Sequence, residues 1–120
     1  MQLGVFLKMP ARTPPAIPMD DNQRIQLEAA VFRQLIKHLQ KNTEIQNIDL
    51  MLTGDFCRNC LAKWYTAAGE DLGIPIAYED ALVAVYGMPY AEWKSRHQKE
   101  ATPEQLEAFK RRQAQQAQQQ

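Results

Sequence analysis

The run Asp55-Phe56-Cys57-Arg58-Asn59-Cys60-Leu61-Ala62-Lys63-Trp64-Tyr65 constrains this chain more than any other. It lies mid-chain and holds both cysteines and one of the two tryptophans. On a helix each residue turns by about 100°, which places Phe56, Cys57, Cys60, Leu61, Trp64, Ala67 and Ala68 on one broad apolar face. Arg58, Asn59, Ala62, Lys63 and Thr66 take the other face. An apolar arc that wide belongs at the centre of a core. It predicts a central helix from Phe56 to about Asp71 with both thiols packed inside.

The segments on either side read as further helices. Asp20 or Asp21 can cap a helix whose stripe Ile25, Ala29, Val31, Phe32, Leu35, Ile36 and Leu39 runs to about Lys41. Glu28 interrupts that stripe, either as an acid reaching a basic partner or water, or as a buried acid of raised pKa or metal ligand. His38 lies at its edge. After the Asn42-Thr43 turn, Ile45, Ile48, Leu50, Met51 and Leu52 form a short helix that Thr53-Gly54 breaks, leaving Asp55 to cap the central one. Gly73 suits a left-handed helix end, with Pro75 beyond it.

Glu79 and Asp80 open a helix that buries Ala81, Leu82, Val85 and Tyr86 and stops at Gly87. Pro89 starts another, Tyr90 to about Lys99, with Tyr90, Trp93 and His97 on one side. Such a face is either aromatic packing or a stacking site for a ligand. Thr102-Pro103-Glu104-Gln105 is a capping box. Beyond it Leu106 and Phe109 give a thin seam, and Lys110-Arg111-Arg112 leads into a Gln-rich, frayed tail.

No stretch sustains the alternation of a strand. The fold class is therefore all-α: a small multi-helix domain over 19–101, a disordered Pro-rich leader over 1–18, and over 102–120 a short capped helix running into the tail. Met19, directly before the first helix signal, is a second candidate initiator.

Charge restricts the partners. Fourteen basic residues balance fourteen acidic ones, so no net field draws the chain to nucleic acid or a membrane surface. No apolar run reaches the roughly 20 residues that span a bilayer, and the start lacks a signal-peptide pattern. The expected location is the cytoplasm, with both cysteines as thiols. Tyr86, Met88, Tyr90 and Trp93, gathered near a Gly-Met-Pro turn, would make an apolar patch through which the chain forms a homo-oligomer.

Three readings compete for Cys57 and Cys60. Free cysteines pack as small buried hydrophobes. Alternatively the pair supplies two thiolates to a zinc ion, and His38 and His97 complete four ligands, with Glu28 as an oxygen donor in reserve. Thirdly, Cys57 in the first helical turn beside Arg58 would have a lowered pKa suited to thiol–disulfide exchange. Glu28, Arg58, Trp64, Tyr90 and Trp93 are the remaining candidates for a functional cluster. No Gly-rich phosphate loop or Ser/His/Asp arrangement indicates an enzyme. The residues thus point to a non-catalytic interaction or oligomerisation module without a required cofactor, or to a thiol-dependent metal or redox protein.

The run Asn47-Ile48-Asp49-Leu50-Met51, then Phe56-Cys57-Arg58-Asn59-Cys60-Leu61 with Trp64-Tyr65, resembles the domain of unknown function 1244 family of short bacterial proteins. So does Tyr86-Gly87-Met88-Pro89-Tyr90 with Glu92-Trp93-Lys94 and His97-Gln98. The resemblance spans about Asp20 to Thr102. It implies a small all-helical fold that self-associates, and no assigned activity.

Overall fold

The computed structural model describes residues 19–118; the expected leader over 1–18 lies outside the described residues. Those residues form six helices and no strand: α1 (Asp21–Lys41), α2 (Asn47–Gly54), α3 (Arg58–Asp71), α4 (Tyr78–Tyr86), α5 (Tyr90–His97) and α6 (Pro103–Gln118). The chain divides into two contact units, one ending at Val31 and one beginning at Phe32.

In the first unit Asp20 is the cap. Its Oδ1 accepts the Gln23 amide at 2.7 Å, and Gln23 Oε1 accepts the Asp20 amide at 3.1 Å. This reciprocal pair satisfies two amides that the helix start leaves free. Ile25, Leu27 and Val31 are nonetheless exposed, Val31 at 69%. Glu28 is exposed as well, so it is no buried acid.

The second unit has one core. Ile36 and Leu39 of α1, Leu61 and Ala62 of α3, Ala81, Leu82, Val85 and Tyr86 of α4, and Trp93 of α5 are buried together. The buried face of α4 is the expected one, because Ala81, Leu82, Val85 and Tyr86 meet a single core. Gly87 ends that helix at φ 77°. After α3, Gly73 takes φ 72°, the Ile74 amide donates to Gly69 O at 2.7 Å, and the Gly73 amide donates to Glu70 O at 3.2 Å. These are the two bonds of a Schellman turn, which needs a left-handed residue where glycine stands.

The centre of the chain differs from the sequence reading. Asp55 does not open the central helix; it closes α2 in the left-handed region at φ 66°, donating its amide to Met51 O. Asp is among the few side chains that tolerate this conformation. Cys57 becomes the N-cap of α3, with extended backbone at φ −144°. The core face of α3 is accordingly Arg58, Leu61 and Ala62. Trp64 is 58% exposed, and Ala67 and Ala68 also face outward.

The helix opened by the Thr102 capping box takes in most of the Gln-rich segment. Thr102 Oγ1 accepts the Gln105 amide, Gln105 Oε1 accepts the Thr102 amide, and the helix so capped continues to Gln118. Polar contacts hold α6 against α2. Gln105 Nε2 donates to Asp49 Oδ1 at 2.8 Å, Arg112 Nε pairs with Asp55 Oδ1 at 2.6 Å, and Gln116 also reaches Asp55.

Candidate functional site

Two features of the second unit stand out, and both are built on α3. The first is a polar knot at its start. Arg58 was expected on the solvent side but is only 1% exposed. Its Nη1 donates to Ile45 O at 2.8 Å and Asn47 Oδ1 at 3.2 Å, and its Nη2 to Asn42 O at 3.1 Å and Leu39 O at 3.4 Å. The guanidinium carbon lies 4.8 Å from the Trp93 ring centroid. Leu39 and Asn42 belong to the end of α1 and the residue after it, where free carbonyls concentrate negative charge, so a cation there replaces water favourably. Among the described residues no carboxylate comes within ion-pair distance of Arg58. Burial lowers its pKa from the ordinary value, yet a guanidinium remains charged.

The knot extends to Tyr86. Asn47 Nδ2 donates to the Tyr86 hydroxyl at 2.9 Å, and that hydroxyl donates to Asn59 Oδ1. Burial raises the Tyr86 phenol well above its usual range, so it stays protonated throughout physiological pH. The Tyr86 ring stands 5.1 Å from both Tyr90 and Trp93. Tyr86 and Trp93 of the expected patch are therefore core, while Met88 and Tyr90 are half-buried against it. The Tyr90–Trp93–His97 side of α5 is packing, with the His97 ring 5.6 Å from Trp93. Among the described residues no buried side-chain polar atom lacks a partner. A closed network of this kind fixes structure.

The two thiols lie beside the knot. Cys57 Sγ and Cys60 Sγ are 3.7 Å apart, unbonded, and neither joins the buried core. The Arg58 guanidinium gives its hydrogen bonds to the carbonyls and Asn47 and none to either thiol. Burial raises the Cys57 pKa, against the smaller lowering effect of the Cys60 and Asn59 amides. Burial also raises the Tyr78 phenol, helped by the charges of both thiols near it. His38 is exposed and His97 is engaged with Trp93, and among the described residues no three His, Cys, Asp or Glu side chains gather in a metal-holding group. The four-ligand set is not brought together.

The second feature is an apolar groove of about 680 Å³. Phe32, Leu61, Trp64, Tyr65, Ala68, Gly69, Leu72, Ile74 and Ile76 line it. Leu72 is 73% exposed, and Ile74, Trp64 and Tyr65 are also exposed. Trp64 stacks on Phe56 at 6.4 Å and Tyr65 leans on Phe32 at 6.2 Å, which holds both rings upright as walls. The sequence signal for the groove was present, because α3 carries more apolar residues than one core face can use.

The family model for the DUF1244 proteins of unknown function matches residues 45–111, more than half of the chain. The chain belongs to the DUF1244 family. The match begins before α2 and runs into α6, so the capped C-terminal helix lies largely inside the DUF1244 region, whereas α1 precedes it. No curated protein matches the chain. None of the described helices is long and apolar enough to cross a membrane.

Proposed function

We propose that this DUF1244 protein is a non-catalytic, self-associating helical module of the bacterial cytosol. In this reading the groove on α3 receives the first half of α1 from a second copy. The observation that carries the reading is a pair of apolar surfaces, each lacking a partner within its own unit. One is the groove walled by Trp64, Tyr65, Leu72 and Ile74; the other is Leu27 and Val31, exposed four residues apart on one side of α1. Each surface exposes several large apolar side chains in a single copy, the kind of patch that marks an association site.

A helix segment of about three turns, roughly 16 Å long, suits a groove of this kind, in the manner of an amphipathic helix bound along its apolar side. In this arrangement each copy gives its segment to the groove of the other, so the contact is made twice about a two-fold axis and the pair closes. Each docked segment alone is small against the roughly 800 Å² per partner of a stable interface, and duplication brings the pair toward that size.

Light scattering on the full chain at micromolar concentration tests the reading. The expected mass is twice the 13.8 kDa of one chain. Leu72→Glu and Val31→Glu are each expected to give monomers with unchanged helical circular dichroism, since both positions are exposed in a single copy. A wild-type monomer at that concentration contradicts it.

A further inference from the structure

Self-association leaves the two thiols without a role, and their placement is more specific than packing requires. We propose that Cys57 and Cys60 form a reversible intramolecular disulfide, which makes the start of α3 a site of thiol–disulfide exchange with small disulfides.

The geometry comes from the helix start. Cys57 is the N-cap, with extended backbone at φ −144° and ψ −179°, and Cys60 is the third residue of the helix. A side chain at the cap swings back over the first turn toward that third position, which is how Ser or Thr reaches its amide in a capping box. A cysteine at each of these two positions sets the sulfurs face to face, here 3.7 Å apart. A disulfide bond is about 2.05 Å long, so rotation of the two side chains about their Cα–Cβ bonds supplies most of the remaining approach. The helical hydrogen bonds need not open.

Access agrees, although burial keeps Cys57 a thiol at neutral pH and so slows rather than forbids its attack. Neither cysteine is in the buried core, so a small disulfide can reach the pair. No third metal-ligating side chain joins them among the described residues, which leaves each sulfur available to the other. The backbone on both sides is anchored: the Arg58 amide donates to Asn47 Oδ1, and the Leu61 amide to Cys57 O. The pair is thus held in register before any bond forms.

The exchange balances in two steps. One cysteine thiolate attacks a sulfur of a small disulfide RSSR, forming a protein–S–S–R bond and expelling RS⁻. The second cysteine, its proton lost to solvent, attacks the protein sulfur of that mixed disulfide, closes the Cys57–Cys60 bond and expels the second RS⁻. The protein loses two electrons and two protons, and RSSR becomes two RSH. An excess of RSH reverses both steps. A disulfide of this kind in a reducing compartment is transient and follows the local thiol poise.

The test incubates the reduced full chain, anaerobically and without metal, in buffers of stepped ratios of oxidised to reduced glutathione, followed by acid quench and intact mass. The expected product is lighter by two hydrogens, carries a Cys57–Cys60 bond in its peptide map, has not cross-linked between chains, and returns to the dithiol in excess reduced glutathione. Cys57→Ser and Cys60→Ser are each expected to stop at a glutathione adduct on the remaining sulfur. Wild-type protein that stays reduced at ratios which oxidise the same chain in denaturant overturns the proposal. So does wild-type protein that halts at glutathione adducts or bonds only between chains, and the wild-type result decides even where a serine variant fails to fold.

Discussion

Replacing Arg58 tests the polar knot that anchors α3 to the end of α1. Arg58→Met keeps the length and apolar stem of the side chain and deletes every side-chain donor, so the carbonyls of Leu39, Asn42 and Ile45 and the Asn47 amide oxygen each lose a guanidinium bond, while Asn42 O keeps the Ile45 amide and Asn47 Oδ1 keeps the backbone amide of residue 58. Three of the four contacts are 3.2 Å or shorter. Hydrogen bonds from a charged donor contribute about 1.5 kcal/mol or more each, which gives about 4–5 kcal/mol for the three. Two effects act on this sum in opposite directions. The variant no longer desolvates a guanidinium, which returns part of it, and it loses the contact with the Trp93 ring.

A net loss of about 3 kcal/mol remains. With a urea slope of about 1.5 kcal/mol/M, the unfolding midpoint should fall by roughly 2 M. Arg58→Lys, a charged stem whose three donors cannot span four acceptors, should lie about halfway. Urea titration followed by the fluorescence of Trp93, in a Trp64→Phe background, reads the change at the ring under the guanidinium. A midpoint for Arg58→Met within about 0.5 M of the parent, less than about 0.8 kcal/mol on the same slope, would refute the reasoning.

Gly69→Ala should destabilise although it sits inside a helix. An added Cβ would lie 2.5 Å from the Ile74 carbonyl oxygen, a backbone atom of the Schellman turn, and the strain of about 1–3 kcal/mol should exceed the roughly 1 kcal/mol of helix propensity gained; a raised melting temperature would contradict this. The Tyr86 phenol should make the fold alkali-sensitive. Its pKa is raised in the native state, so its contribution is full below about pH 10, the unfolded value, and falls by about 1.4 kcal/mol per pH unit above it until the native group also ionises. Phenolate absorbance should show one of the four tyrosines ionising only with unfolding, and Tyr86→Phe should flatten the loss of stability above pH 10.

The elements legible in the sequence were those with one apolar face and one kind of punctuation. In α4 the positions Ala81, Leu82, Val85 and Tyr86 had a single core to meet and a glycine to stop at, and both readings hold. The helix α3 was legible as a helix but not in rotation. Its apolar residues serve two surfaces, the core at Leu61 and Ala62 and the groove at Trp64 and Leu61, and one averaged arc over both points between them.

Arg58 misled for a different reason. A cation reads as solvent-facing, and only the folded chain shows that the carbonyls closing α1 converge on it. Asp55 is ambiguous in principle, since the same short side chain that caps a helix start also tolerates the left-handed helix end it adopts here. The docking of α6 was hidden because its anchors, Gln105, Arg112 and Gln116, are polar and leave no apolar period.

Sedimentation of mixed variants tests reciprocal docking most directly. Val31→Glu spoils the inserted segment and Leu72→Glu spoils the groove, so a homodimer of either variant keeps no intact contact. A mixed pair keeps one, formed by the unaltered first half of α1 from the Leu72→Glu chain in the unaltered groove of the Val31→Glu chain. The account expects each variant alone to sediment as a monomer and an equimolar mixture to recover a dimer, weaker than wild type. A mixture that remains monomeric while the wild-type chain dimerises would contradict it.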